Sequence, residues 1–239
     1  MATSAGQDGG DVPAWWSDRN NKQAERLLKL FNGPGKSLSK VACGVPHVGG
    51  GGDHPRPQGP LVHLLFQPFV WPQDSETHLN SDGEKWLDDA NAFDQSGDDV
   101  RQAANGVLDG GSWEGKGADA AHAAYSKAAA IKYHQADITR KAGNLFQRAA
   151  TDVGNTKKHM FAENKQAHQE VEKFLHSGSG QSLAQVAVIV GKHRTAIQGY
   201  SSELQGFVTQ YTTQFTNHFK EGGPGEGPKV REAGNGSST

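Results

Sequence analysis

Proline is absent from residues 73–223 of this 239-residue chain, although the whole sequence holds ten. Proline breaks helix interiors and central strands, so a proline-free block of this length reads as long helices. Eight prolines crowd into residues 1–72, and the other two are Pro224 and Pro228, so irregular ends flank the block. Cysteine is nearly missing: Cys43 stands alone, which excludes an intrachain disulfide and a zinc-finger pattern. No apolar run approaches the roughly 18 residues of a membrane span. The first residues, MATSAGQDGGDVPAWW, have no basic stretch ahead of an apolar one and do not read as a cleavable signal peptide. Excess charge is missing too. A formal net charge of −2 argues against a general nucleic-acid binder.

Charge is nevertheless unevenly placed. Residues 73–112 sum to −8 and residues 113–176 to +3. Residues 1–70 are expected to be poorly ordered, with one helical stretch at 18–31 carrying Ala24, Leu27, Leu28, Leu30 and Phe31. Residues 61–70 form an apolar patch broken by Pro68, read either as a docking segment or as a short edge strand.

Helical periodicity begins in residues 74–108. Leu79, Trp86, Phe93, Val100 and Val107 recur every seven residues beside a small line of Gly83, Ala90, Gly97 and Ala104. Large residues beside small ones let a partner helix come close. Ser81-x-x-Glu84 has capping-box spacing and would start the firm helix near there, with a looser turn able to begin after Pro72. After the turn residues Asp109-Gly110-Gly111-Ser112, a second helix opens near Lys116. Its seam is read as Ala124, Ala128, Ile131, Gln135, Ile138, Ala142, Leu145 and Ala149, continuing to Phe174. Either one helix of about 60 residues or two are compatible with this pattern, and Gly154 favours a bend or break. A third helix over 181–220 follows Ser177-Gly178-Ser179-Gly180, and residues 221–239 have linker composition and are expected to be disordered.

The expected fold is therefore all-α. An antiparallel helical hairpin over 71–176 is extended by the third helix to a three- or four-helix elongated bundle, with disordered flanks. The acidic first arm would lie beside the basic second arm.

The turn continues as Trp113-Glu114-Gly115, then Gly117-Ala118-Asp119-Ala120, and Trp71-Pro72 leads into the first helix. This pattern resembles the WXG family of helical-hairpin proteins, in particular the WXG-like N-terminal domains of actinobacterial proteins exported by type VII secretion. The resemblance implies a non-enzymatic protein, secreted or held at the cell envelope, and otherwise cytoplasmic. It implies Trp113 and Gly115 as part of an export signal. It implies a secretion ATPase or chaperone as partner, together with self-association or a WXG-type partner hairpin. Family members carry a second signal, Tyr-x-x-x-Asp/Glu. Tyr133 and Asp137 have that spacing and are the candidate for it; they lie inside the second helix, and the signal is otherwise absent or supplied by a partner. The competing readings are a plug role for Trp113 at the bundle end and, for the whole chain, a coiled-coil scaffold without export.

Other chemistry finds little support. Gly33-Pro34-Gly35-Lys36-Ser37 resembles a phosphate loop, but Leu30 stands where its first glycine belongs and a helix precedes it. Eight of the eleven histidines lie in the helical block, none at i, i+3 or i, i+4 to another, so no metal site is expected. The carboxylates Asp88, Asp89, Asp94, Asp98 and Asp99 lie mostly off the seam and read as a solvated or partner-facing surface. No catalytic constellation and no cofactor are expected.

Overall fold

A computed structural model describes residues 53–66, 70–108, 113–177 and 183–221. Among these the chain is all-α. A short helix α1 (Val62–Leu65) is followed by α2 (Glu76–Leu108), α3 (Lys116–His176) and α4 (Leu183–Glu221). The helix read over 18–31, the Gly33–Ser37 loop, Cys43, the turn residues 109–112 and the tail after 221 lie outside the described residues.

Three expectations need correction. Ser81 does not start the first arm, because α2 begins five residues earlier at Glu76. Glu76 is held from outside the helix: Lys157 Nζ donates to its Oε2 at 2.8 Å, and the His54 amide donates to its Oε1 at 3.2 Å. Ser81 and Glu84 therefore sit inside a helix that already has its start. Gly154 does not break the second arm, since α3 runs unbroken over 61 residues. An isolated glycine costs a helix only about 1 kcal/mol, and here Glu76 packs over it. Finally, residues 61–66 are not a strand. They form a helical turn, with Leu65 N–H donating to Leu61 O and Phe66 N–H to Val62 O.

The chain divides into two compact units, the first from Met1–Glu76 and Thr151–Phe207, the second from Thr77–Ala150 and Val208–Thr239. In the first unit, residues 61–71 supply Leu61, Leu64, Leu65, Phe66, Val70 and Trp71 to one core. They meet Met160, Ala167, Val171 and Leu175 of α3 and Val186, Ala187, Val190 and Ile197 of α4. The two long helices run antiparallel there, pairing His159 with Tyr200, Glu163 with His193 and Glu170 with Lys192. Lys157 is 3% exposed and ties the start of α2 to α3 through Glu76 and the Asp74 carbonyl. Removing one partner of such a buried pair typically costs about 3–5 kcal/mol.

In the second unit, α2 and α3 are the arms of the hairpin. As the residue number on α2 falls from 98 through 94 to 83, its α3 partner rises from 133 through 140 to 147, so the arms are antiparallel. The small line Gly83, Ala90, Gly97 and Ala104 is fully buried, while Leu79, Trp86, Phe93 and Val100 are only half-buried. The matching line on α3 is small as well: Ala129, Ala136, Gly143 and Ala150. A Cβ at Gly143 would lie 2.9 Å from both the Gly83 carbonyl oxygen and Leu87 Cγ. The backbones therefore meet at a spacing that only glycine allows. Acid–base pairing follows the contact, with Arg140 on Asp94 and the Lys132 ammonium 5.5 Å from the centre of the Phe93 ring.

The α3 seam was read correctly from Ile138 onward and misplaced before it. Ala124, Ala128, Ile131 and Gln135 are exposed, and Ala118, Ala129 and Ala136 are buried instead. Residues 118–130 are so rich in alanine that several helical phases look equally apolar, and the larger Ile131 drew the seam to the wrong side.

These contacts set opposite signs for two similar substitutions. Gly143→Ala must push backbone atoms apart, and its overpacking cost of about 1–3 kcal/mol outweighs the roughly 1 kcal/mol gained in helix propensity. Gly106 has nothing within 4 Å of its would-be Cβ, so Gly106→Ala raises stability by up to about 1 kcal/mol. Urea unfolding of the two variants beside the parent checks both signs.

Candidate functional site

Trp113 and Gly115, the two residues marked by the resemblance, stand together just ahead of α3. Trp113 and Gly115 precede the first turn of α3, which is fastened by Asp119 N–H donating to Gly115 O at 3.1 Å. Gly115 has φ +94°, in the left-handed region that favours glycine. Asp119 places a carboxylate in the first turn of α3, where it complements the helix dipole. Glycine at 117 lets the indole lie against the helix: a Cβ there would stand 3.8 Å from Trp113 Cζ2 and Nε1, ordinary contact distance.

Trp113 does not plug the bundle. It is 45% exposed, the indole resting on the outside of the first α3 turn. The plug reading fails on that exposure: the contact described for the ring is with the α3 start at Gly117. Tyr125 and Ile131 are exposed on the same helix, at 41% and 40%. With Ala124 and Ala128 they form one apolar stripe of α3, spaced at three and four residues.

Nothing described from the third helix covers this stripe. Within this unit α4 packs on the arms at an aromatic cluster: Trp86 stacks on Phe146 at 6.4 Å, and Phe215 meets both edge-on. Phe219 closes the cluster at 5.9 Å from Trp86. Glu221, the last described helical residue, is two residues further, or about 3 Å of helix rise. From Trp86, α2 continues to Leu108, about 33 Å further on.

Tyr133 and Asp137 are placed apart in role, though one helical turn apart in sequence. The Tyr133 hydroxyl donates to Asp98 Oδ1 at 2.8 Å, and its ring covers Gly97. That bond to a carboxylate, aided by burial, holds the phenol above its usual range. Asp137 is exposed and pairs with Lys141 Nζ at 2.7 Å. Tyr133 thus belongs to the contact between the arms.

Two further sites escape the sequence reading. One is an apolar cleft of 220 Å³ in the second unit, lined by Leu79, Leu145, Phe146, Ala149, Tyr211, Thr212 and Phe215. Its lining offers hydroxyls and no charged group. The other is a buried polar layer in the first unit, holding Asn164, His168 and His193. His193 Nδ1 lies 2.5 Å from Glu163 Oε2, and its Nε2 is 3.3 Å from Glu170 Oε2. Glu170 is held below its usual carboxylate range by the hydrogen bond from Lys192, burial opposing and His193 assisting. Asn164 and His168 lie one turn apart on α3, but spacing along that helix could not reveal that His193 of α4 joins them. Among the described residues no three His, Cys, Asp or Glu side chains are grouped to hold a metal ion, and no helix is long and apolar enough to cross a membrane.

Residues 54–164 match a family model described as a WXG100 like domain. The match takes in α1, α2 and most of α3, and so begins ahead of the hairpin itself. Neither a curated protein nor a solved structure matches the chain.

The geometry separates Trp113 from Gly115 energetically. Trp113→Ala removes a half-exposed ring and should change unfolding free energy by no more than about 0.5 kcal/mol. Gly115→Ala forces a Cβ into a left-handed conformation and should cost about 1–2 kcal/mol. Thermal unfolding followed by circular dichroism distinguishes the two.

Proposed function

We propose, from the premise that residues 54–164 of this chain are a WXG100-like helical domain, that the protein is a non-enzymatic substrate of a type VII secretion system, or the targeting domain of one. It would travel folded and act outside the cytoplasm, in the medium or at the cell envelope. The observation that carries this reading is Trp113: an indole 45% exposed, held beside a left-handed Gly115 at the hairpin turn. Exposed tryptophan fixed on a rigid element is a strong recognition group, because it offers a large apolar area at little cost in side-chain entropy.

The reader of the turn would be the secretion ATPase or a chaperone. The second export signal would come from a partner, since the Tyr133 hydroxyl is engaged by Asp98 inside the hairpin. The stripe of Ala124, Tyr125, Ala128 and Ile131 supports such a partner, either another WXG-type hairpin or a second copy. Small residues at 124 and 128 admit a helix closely, and the larger pair supplies apolar area.

Export and assembly are separable by substitution. In a host carrying a type VII system, Trp113→Ala should lower the secreted fraction at least tenfold, with helical circular dichroism unchanged. Normal export of that folded variant would remove the reading. Ile131→Glu should leave the fold intact and weaken association at least tenfold by light scattering. A coiled-coil scaffold without export would instead form a stable oligomer indifferent to Trp113.

A further inference from the structure

The 61–66 segment is fastened to α3 through a single imidazole whose two nitrogens have fixed and different duties. His168 is fully buried. Its Nδ1 lies 2.7 Å from the Asn164 carbonyl oxygen, which can only accept, so Nδ1 carries the proton. Its Nε2 lies 3.2 Å from the Leu61 amide, which can only donate, so Nε2 must present its lone pair. Both neighbours therefore demand the neutral ring. Leu61 N–H is the first amide of the α1 turn, whose following amides at 64, 65 and 66 are satisfied within the segment. Leu61 itself has no exposed surface.

We propose that residues 61–66 are a proton-gated strap: a proton on His168 Nε2 and the docked strap exclude one another, so opening takes up one proton. The added N–H would point at the Leu61 N–H, and each donor would be buried without an acceptor. Opening releases Leu61, Val62, Leu64, Leu65 and Phe66 and bares the apolar face of Met160, Ala167 and Val171. Acidification is thus converted into exposed hydrophobic surface in the first unit.

The surroundings fix the direction. Burial, the largest influence, lowers the affinity of His168 for a proton, and the Asn164 carbonyl and the charge of Glu172 oppose it more weakly. The strap brings no carboxylate against the ring, and His63 on it is exposed. Ahead of it in the chain, His54 Nδ1 lies 3.0 Å from Glu76 Oε1. From α4 the polar layer contributes His193, which faces Glu163 and Glu170. In the open state His168 regains the usual imidazole affinity, so the docked state begins to lose ground as pH falls below about 6.5. The loss continues until the docked ring itself would titrate.

Hydrogen exchange of the full chain, labelled between pH 7.5 and 5 and corrected for intrinsic chemistry, reads the opening directly. Protection of the 61–66 amides should fall about tenfold per pH unit below about 6.5, with one proton linked. Amides of residues 86–93 should keep theirs. His168→Gln, whose carbonyl can accept from Leu61 without titrating, should flatten the profile, and His193→Gln should not. A flat profile in the parent, or an unaltered slope in His168→Gln, overturns the proposal. Should His168→Gln fail to fold, nitrogen NMR of the parent decides. An unprotonated Nε2 at pH 7.5, gaining its proton as strap protection is lost, supports the gate. Titration of His168 with the strap still protected overturns it.

Discussion

The backbone contact between Gly83 and Gly143 governs the hairpin. With a would-be Cβ only 2.9 Å from the facing carbonyl oxygen, the arms have a single approach that satisfies both helices. A slide by one residue would put a side chain where only a hydrogen fits. Dispersion falls off within about an ångström, so the close spacing gains contact along the whole line of Ala90, Gly97, Ala104, Ala129 and Ala136. Arg140 on Asp94 and Tyr133 on Asp98 then find their partners at the same register. Half-exposed charge pairs of this kind stabilise little and discriminate more, because a slipped register would leave them mismatched. Steric fit sets the register and electrostatics agrees with it.

The first unit is held by a different principle. Its apolar core, from Leu61 to Ile197, encloses Lys157, Asn164, His168 and His193. A buried charge pair or polar layer is seldom the most stable filling for such a space. What it does is restrict alternatives: Lys157 and His168 each have a donor or acceptor requirement that one arrangement meets. Lys157 reaches both the Asp74 carbonyl and Glu76, and so fixes where α2 begins. His168 does the same for the strap. Asn164 is the incomplete member, with neither its Oδ1 nor its Nδ2 bonded to protein. The layer therefore carries unspent polar capacity beside the group that responds to acid.

How much of this was readable in the sequence follows from the physics of each feature. Missing proline and seven-residue spacing announced long helices, and the small line on α2 was visible because glycine and alanine alternate there with Trp86 and Phe93. The matching line on α3 was hidden by composition: where nearly every residue is alanine, periodicity has no contrast. Gly154 misled because propensity is local and the packing of Glu76 over it is not. The strap was half legible. Its apolar residues were plain, but only a contact 107 residues away decides that they dock as a helical turn. Trp113-x-Gly115 was readable by position, yet its exposure was not, since exposure depends on how closely the arms meet.

That last dependence joins the fold to the proposed function. In many hairpins the connection must hold the arms in register, and its residues are then occupied by packing. Here the arms hold their own register through Gly83, Gly143 and the paired charges, so the turn is relieved of that task. Gly115 still shapes the chain, by a backbone angle that other residues resist. Trp113 has no such duty: its ring is nearly half exposed and rests outside, against Gly117. A large ring that contributes little to folding, held on a rigid helix start, can be bound by another protein without unfolding the domain.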